Sequence, residues 1–156
     1  MFRFLDPGPL IDDDLELVLV ERATGDPTRQ RVPAYRFEMR HPGSRAALGA
    51  IDLRVGDVPH LVLYGGHIGY RVDAAHRGRH YAARAVRLLV PLARAHGMRT
   101  LWSTCNPENT ASRRTCELAG AVYVETVELP PDSDMYLSGD RRKCRYRLDV
   151  GDQAIG

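Results

Sequence analysis

The pattern of apolar and polar residues in the first half of the chain is typical of strands. Leu15 to Glu21 predicts the first strand and Ala34 to His41 the second, in which Tyr35, Phe37 and Met39 alternate with Arg36, Glu38 and Arg40. Leu48 to Val55 predicts a third strand and Leu61 to Val72 a fourth. The pair Gly65-Gly66 interrupts the fourth strand, and a bulge or the close approach of a ligand is expected there.

The second half of the chain changes to helical spacing. Tyr81 to His96 predicts a long helix that ends at Gly97, and Pro91 inside it predicts a kink because proline lacks a backbone donor. Asn109 predicts the N-cap of a second helix. Further strands are predicted over Thr100 to Cys105, Ala121 to Glu128 and Lys143 to Asp149. Strands with two helices among them indicate an α/β fold, in the form of an α+β mixed sheet.

Length and composition limit the organisation of the chain. Its 156 residues, 44% of them hydrophobic, suffice for one core, so we expect a single domain over 1–150 and a flexible tail over 151–156. No apolar run has transmembrane length, and Met1 to Asp6 lacks the apolar segment of a signal peptide. These features predict a cytoplasmic protein with no membrane partner.

Charge and cysteine content exclude further classes. The net charge is only +2, so acidic residues nearly balance the basic ones and a nucleic-acid partner is not expected. The short basic run Arg141-Arg142-Lys143 is interpreted as a solvated loop. Cys105, Cys116 and Cys144 lack the spacing of a disulfide framework or a zinc site. We therefore predict reduced thiols and no metal.

A basic turn leads from the fourth strand into the first helix. Its residues are Arg77, Gly78, Arg79, His80, Tyr81 and Ala82. A turn of this kind at a helix N-terminus directs unpaired backbone N–H groups and the positive end of the helix dipole at one point, which suits a pyrophosphate. Such a turn also occurs in dinucleotide-binding folds and as a simple strand-to-helix connection. However, no acidic residue follows the turn at the spacing typical of dinucleotide-binding folds, which disfavours that alternative.

A second segment, Asn106 to Ser112, precedes the second helix. Together the two segments resemble the acyl-CoA pyrophosphate loop and the following conserved helix of the GNAT superfamily of N-acyltransferases. The resemblance covers Leu48 to Asp149 and is nearest to the branch that acetylates the N-termini of ribosomal proteins. It implies a mostly antiparallel central sheet with two main helices. His80 departs from the family pattern, which has a glycine there, and is expected to take over the backbone role of that glycine.

The resemblance also implies a cosubstrate site for acetyl-CoA, without a metal. The pyrophosphate would bind at Arg77 to Ala82, and a backbone N–H group of Tyr70, Arg71 or Val72 would stabilise the oxyanion of the thioester. Asn109 and Ser112 would contact the cosubstrate from the second helix. The implied reaction is direct acetyl transfer to a primary amine, either a small cationic amine or a peptide or protein amino group. A non-catalytic acyl-CoA-binding regulatory domain is the alternative.

Proton transfer needs an acid and a base, and both assignments remain open. Cys116 occupies the position of the family's tyrosine acid, although a cysteine there also suits apolar packing. His67 is the titratable residue of the fourth strand whose reference pKa suits a base. The alternative for His67 is a hydrogen-bonded histidine beside Gly65-Gly66. Glu38 or a chain of water molecules would then act as the base.

The acceptor site is expected beside the long connection from Leu129 to Arg142. Its acidic and aromatic side chains suit a cationic amine, and Tyr64 with His67 would complete the pocket; the residues predicted to bind the acceptor are Tyr64, Asp132, Asp134 and Tyr136. A solvated loop would have the same composition. The two helices that usually form one wall of this site do not fit between Thr24 and Pro33. We therefore expect a more open pocket or one closed by a second subunit in a homodimer.

Overall fold

Strands outnumber helices in the computed structural model, which describes residues 2–151. The strands are β1 (Ile11–Asp12), β2 (Leu15–Ala23), β3 (Ala34–Arg40), β4 (Ala47–Arg54), β5 (Ile68–Val72), β6 (Thr100–Cys105), β7 (Val122–Glu128) and β8 (Arg142–Asp149). The helices are α1 (Tyr81–Ala95), α2 (Thr110–Leu118) and α3 (Asp134–Leu137). The predicted mixed α/β fold is confirmed. The predicted tail over 151–156 lies outside the described residues, except for Gly151.

The strands form two antiparallel sheets. The first has the order β1-β2-β3-β4-β5 and the second the order β6-β8-β7. β5 and β6 are neighbours that belong to different sheets, and the backbone N–H of His67 links them by donating to the carbonyl of Trp102 at 2.7 Å. The last residues of β5 are therefore free to border a cleft.

Helix α1 covers one face of the first sheet and forms the main core with it. Ala85, Leu89 and Ala93 follow one another at helical spacing and are fully buried, as are Phe37 and Ile51 of the sheet. α1 continues through Pro91 as one helix, and Gly97 adopts a φ of 78°, as expected for a residue that ends a helix. The helix thereby holds its N-terminus at the end of β5.

The segment before β5 differs from the prediction. Leu61 to Val72 was expected to form one interrupted strand, but Leu61–Gly65 is a single π-helical turn and only Ile68–Val72 is a strand. A short apolar run such as Leu61 to Leu63 fits either structure, so the pattern could not decide. At Gly66 the backbone of Trp102 approaches closely, because the φ of Gly66 is 78° and a Cβ atom there would lie 2.9 Å from the carbonyl oxygen of Trp102.

The opposite face of the first sheet carries polar side chains. Residues 24–33 form only the 3₁₀ turn Pro27–Arg29 and a bridge between Asp26 and Arg31, so the two helices of the family's acceptor wall do not occur in this segment. We call this surface the open face; it carries Arg36, Glu38, Asp52, Arg54, Gly69 and Arg71. Each is half-buried or exposed, while Phe37 on β3 and Leu53 on β4, which lie between them, are buried.

Candidate active site

A cleft of about 510 Å³ opens between the end of β5, the N-terminus of α1 and the first turns of α2. It brings together ten of the eleven residues predicted to bind the cosubstrate: Tyr70, Arg71, Val72, Arg77, Gly78, His80, Tyr81, Ala82, Asn109 and Ser112. Arg79 belongs to the same turn but does not line the cleft. Two segments that lie about 30 residues apart in sequence thus form opposite sides of one site.

The turn before α1 has the backbone geometry that an anion site needs. His80 is the N-cap of α1 and has φ 60° and ψ 26°, the left-handed conformation that a glycine adopts easily, and Gly78 has a φ of 90°. The first turn of α1 contains no acidic residue. Arg77 donates from Nε to the carbonyl of Val72 at 3.0 Å, which joins the turn to β5. The departure at His80 therefore leaves the turn intact.

The N-terminus of α2 faces this turn across the cleft. The Oδ1 atom of Asn109 accepts from the backbone N–H of Ser112 at 3.0 Å, so the predicted N-cap is confirmed. The hydroxyl groups of Ser112 and Tyr70 are 2.7 Å apart. Tyr70 thus bridges β5 and α2 at the inner end of the cleft. Burial and the neighbouring Cys116 raise the pKa of Tyr70, so its phenol stays protonated.

The register of β5 leaves backbone donors free on the side of the cleft. In an antiparallel pair, alternate residues direct their N–H groups to the partner strand or away from it. Arg54 donates to the carbonyl of His67 and Asp73 to that of Leu48, which fixes the alternation along β4 and β5. Tyr70 and Val72 consequently direct their N–H groups away from β4, toward the cleft.

Three thiols lie in one cluster below Tyr70. Cys105, Cys116 and Cys144 are all buried and pack with Tyr146. The Sγ atom of Cys116 is 3.5 Å from the hydroxyl oxygen of Ser103. Hydrogen bonds from Cys105, Ser103 and Tyr70 lower the pKa of Cys116 to about 7, against the effect of burial, and the same contact with Cys116 raises the pKa of Cys105. Cys116 is therefore ionised in part at neutral pH.

His67 lies at the junction of the two sheets and is only 1% exposed. Its Nδ1 atom accepts from the backbone N–H of Trp102 at 3.0 Å, so the ring proton sits on Nε2. Nε2 then donates to the carbonyl of Gly56 at 3.1 Å and to Asp57 Oδ1 at 3.0 Å. Both ring nitrogens are engaged. This geometry favours the interpretation of His67 as a hydrogen-bonded residue beside the two glycines; its role as a base stays a prediction.

The residues predicted to bind the acceptor lie on the other side of β6. Along a strand, neighbouring side chains point to opposite faces, and here Ser103 contacts Cys116 of α2 while Thr104 donates to the carbonyl of Tyr64 at 2.7 Å. Tyr64 therefore lies on the face away from α2. A Cβ atom on the next residue, Gly65, would contact Met135 of α3.

The predicted acceptor residues of α3 and the turn before it are already partly engaged. The guanidinium of Arg141 lies 3.9 Å from the ring centre of Tyr136, so one face of that ring is covered. Asp132 and Asp134 are exposed to solvent. The residues predicted for cosubstrate and for acceptor thus lie on opposite faces of β6.

The sequence analysis missed two basic residues of the cleft, His76 and Arg114. His76 ends the short 3₁₀ turn after β5. Arg114 lies on the face of α2 that also presents Ala111, Thr115 and Leu118 to the cleft. That helical spacing was visible in the sequence and could have identified Arg114 as a further cation near a phosphate.

The model of the acetyltransferase (GNAT) domain family matches residues 3–122, which is more than half of the chain. The chain belongs to the GNAT acetyltransferase family. No match was found among curated protein sequences.

Solved structures share this fold. A putative ribosomal-protein-serine acetyltransferase from Vibrio cholerae has a TM-score of 0.64 at 13% identity, and the match covers 93% of this chain and 99% of that one. Ribosomal-protein-S5-alanine acetyltransferase from Vibrio fischeri has a TM-score of 0.60 at 17% identity, covering 76% and 63%. A putative acetyltransferase from Salmonella typhimurium, solved with acetyl-CoA, has a TM-score of 0.55 at 16% identity, covering 78% and 67%. This chain spans less than two thirds of the length of several such structures.

Within residues 2–151, no helix is long and apolar enough to cross a membrane. The same residues contain no group of three or more His, Cys, Asp or Glu side chains arranged to hold a metal ion.

Proposed function

We propose that this protein transfers the acetyl group of acetyl-CoA to a primary amine. The observation that supports this most is the cleft, in which the basic turn before α1, the capped N-terminus of α2 and free N–H groups of β5 face one another. These are the groups that a pyrophosphate, a pantetheine arm and a thioester carbonyl need.

Each part of the cleft has its own role in binding. The N–H groups at the start of α1, with Arg77, bind the pyrophosphate, and Arg79 outside the cleft adds positive charge to the same turn. Asn109 caps α2 and faces the pantetheine arm, with Ser112 beside it. The N–H groups of Tyr70 and Val72 lie along the strand edge where the thioester carbonyl develops negative charge.

The proposed acid is Cys116, which is buried behind Tyr70 and hydrogen-bonded to it at the inner end of the cleft. A thiol of pKa about 7 gives up its proton more readily than an ordinary cysteine, so its protonated fraction can protonate the departing CoA thiolate. His67 stays a prediction as the base, with Glu38 or a chain of water molecules as the alternative.

The acceptor is proposed to be a peptide or protein amino group, with a small cationic amine as the alternative. Several structural neighbours are described as acetyltransferases of ribosomal proteins, which favours the first class. Tyr64, Asp132, Asp134 and Tyr136 would attract the positive charge of either. A non-catalytic acyl-CoA-binding domain would need the cleft but no acceptor residues.

We also propose that the protein forms a homodimer through β7. β7 is an edge strand of the second sheet, and Val122, Tyr123 and Val124 are exposed along it. An exposed apolar edge strand offers unpaired backbone groups to a second copy. Light scattering after size-exclusion chromatography, with Val124→Lys as the variant, tests this proposal; a monomeric wild-type protein would contradict it.

The enzymatic proposal is tested by thiol release from acetyl-CoA. The acceptors are peptides that begin with serine or alanine, an alkyl diamine and hydroxylamine. Turnover with any of them supports an acetyltransferase. Acetyl-CoA binding by calorimetry without turnover on any amine would favour the regulatory domain, and absence of binding would contradict both.

A further inference from the structure

The open face of the first sheet brings a carboxylate to the strand that borders the thioester. Asp52 on β4 is paired in register with Gly69 on β5, so the two residues share the open face. Tyr70, the next residue of β5, points its side chain to the opposite face and its N–H group to the cleft. Adjacent strands lie about 4.8 Å apart. Asp52 is therefore one strand away from the backbone donor proposed for the oxyanion.

Glu38, the other acid considered for this face, is less suitably placed. It lies on β3 and is paired with Ala50, so it is two strands from β5. Its Oε1 atom already accepts from Nε and Nη2 of Arg40, at 3.0 and 2.7 Å. By contrast, the nearest cation to Asp52 is the Nε atom of Arg36, which is 3.8 Å away and outside hydrogen-bond distance.

The surroundings of Asp52 suit a proton acceptor. Its side chain is 27% exposed, so solvent and an approaching amine can reach it. The charged groups that face it are Arg54 on its own strand, Arg36 on β3, Arg71 on β5 and Glu21 on β2. Burial raises the pKa of Asp52 and outweighs the three arginines, and Glu21 adds to the rise. A carboxylate with a raised pKa is a stronger base than an ordinary aspartate.

Arg54 and Gly69 shape the approach to β5. Gly69 has no side chain, and its position is covered by the guanidinium of Arg54: a Cβ atom there would lie 2.6 Å from Nη2. Arg54 is held in place because its Nη1 donates to the carbonyls of Gly65 and Gly66, at 3.2 and 3.0 Å. A fixed cation beside the approach path disfavours the ammonium form of a bound amine. The same cation also lowers the pKa of Asp52, so it favours proton loss from the amine and not proton gain by the carboxylate.

We propose that Asp52 is the general base of the acetyl transfer and that the acceptor amine approaches over the open face beside the guanidinium of Arg54. This inference rests on the proposed function. Asp52 takes one proton from the ammonium group, directly or through one water molecule. The nitrogen lone pair then forms the C–N bond at the thioester carbonyl and the C–S bond breaks. The thiol of Cys116 protonates the departing thiolate, the second amine proton returns Cys116 to its thiol form, and Asp52 releases its proton to solvent.

The test compares Asp52→Asn with wild type on two kinds of acceptor. The variant keeps the size of the side chain and removes its basicity. With an alkyl diamine, whose amines are protonated at neutral pH, turnover should fall roughly 100-fold or more, and the rate should rise with pH only as the amine itself loses its proton. With hydroxylamine, which is uncharged at neutral pH, the loss should be less than about fivefold because no base is needed.

Controls separate this role from a structural one. Glu21→Gln removes a neighbouring negative charge that helps to raise the pKa of Asp52, so it should move the inflection of the rate to lower pH without lowering the maximal turnover. Asp52→Glu should restore part of the turnover. Calorimetry with acetyl-CoA should give the wild-type affinity for all three variants, because none touches the cleft.

Three results would overturn the proposal. A wild-type rate and pH profile in Asp52→Asn would exclude Asp52 as the base while leaving the acetyltransferase function intact. Equal losses with the diamine and with hydroxylamine would show a positional effect instead of proton transfer. Absence of turnover by the wild-type protein on every amine would contradict the proposed function, and the inference with it.

Discussion

The two sides of the first sheet at β5 are built in different ways. On the cosubstrate side, the groups that would bind acetyl-CoA are mostly backbone N–H groups at a helix start and a strand edge, with arginines around them. On the open face, the groups are side chains contributed by separate strands, such as Asp52 and Arg54 on β4 and Arg36 on β3. The proposed binding on the cosubstrate side depends on backbone conformation, whereas the proposed chemistry of the open face depends on the identity of its side chains.

This difference explains which substitutions each side tolerates. The cosubstrate turn accepts His80 in place of glycine because the residue only has to adopt a left-handed backbone conformation. The open face is less tolerant, because replacing the carboxylate of Asp52 removes the proposed proton acceptor. Binding of a common cosubstrate can therefore be retained while the acceptor side changes.

His67 lies between the two sides, and its substitution should have the largest effect. His67→Ala should lower the free energy of unfolding by about 3 kcal/mol, because the buried donor of Trp102 and acceptor of Gly56 lose their partner. Urea denaturation measures the loss, and His60→Ala, at an exposed histidine, should stay within about 0.5 kcal/mol of wild type. A pH profile of the rate that loses its histidine inflection, with little loss of stability, would instead make His67 the base.

Charge reversal on the cosubstrate side should have the next largest effect. The double variant Arg77→Glu and Arg79→Glu places two negative charges beside the N-terminus of α1. Acetyl-CoA affinity, measured by calorimetry, should fall by about 30-fold or more, corresponding to roughly 2 kcal/mol. The matched control is Arg141→Glu with Arg142→Glu, which lie outside the cleft and should bind normally. An unchanged affinity of the first double variant would contradict the proposed pyrophosphate site.

The thiol cluster below the cleft predicts a pH dependence of stability. The pKa of Cys116 is about 7 when folded and near 9.0 when unfolded, so the thiolate favours the folded state. Stability should therefore rise between pH 7 and pH 9, by up to about 2 kcal/mol, and this contribution should be absent below pH 7. Folding raises the pKa of Cys105, so ionisation of this thiol in the unfolded state lowers the stability of the folded state above pH 9.

Cys116→Ala should abolish that rise. Urea denaturation at several pH values from 6 to 9 compares it with wild type. Loss of packing alone would lower stability by the same amount at every pH, and such a parallel shift would show that Cys116 serves only as an apolar side chain.

The smallest effect is expected at His80. Because its φ of 60° is unfavourable for a side chain, His80→Gly should relieve strain and change stability by no more than about 1 kcal/mol, with acetyl-CoA affinity close to wild type. Thermal unfolding and calorimetry measure the two quantities. His80→Val is the contrasting variant, since a β-branched residue disfavours this conformation. Strongly weakened binding in His80→Gly would show that the imidazole itself contacts phosphate.

Features formed by one contiguous segment could be predicted from the sequence, whereas features formed by distant segments could not. Arg77 to Ala82 and Asn109 lie in contiguous segments whose residues determine their own geometry, so the turn and the N-cap could be recognised. Asp52 could not, because its proximity to Gly69 exists only once β4 and β5 pair in this register. The π-helical turn was missed because its apolar residues also suit a strand. The bonds of His67 depend on Trp102, which is 35 residues away.

The burial of all three cysteines makes thiol-release measurements unusually direct. Cys105, Cys116 and Cys144 are at most 5% exposed, so a thiol-specific dye reacts with released CoA and not with the folded protein. Any slow background signal then reports molecules whose second sheet has opened transiently, since labelling requires such opening. The same dye therefore measures turnover and the rate of local unfolding in one sample.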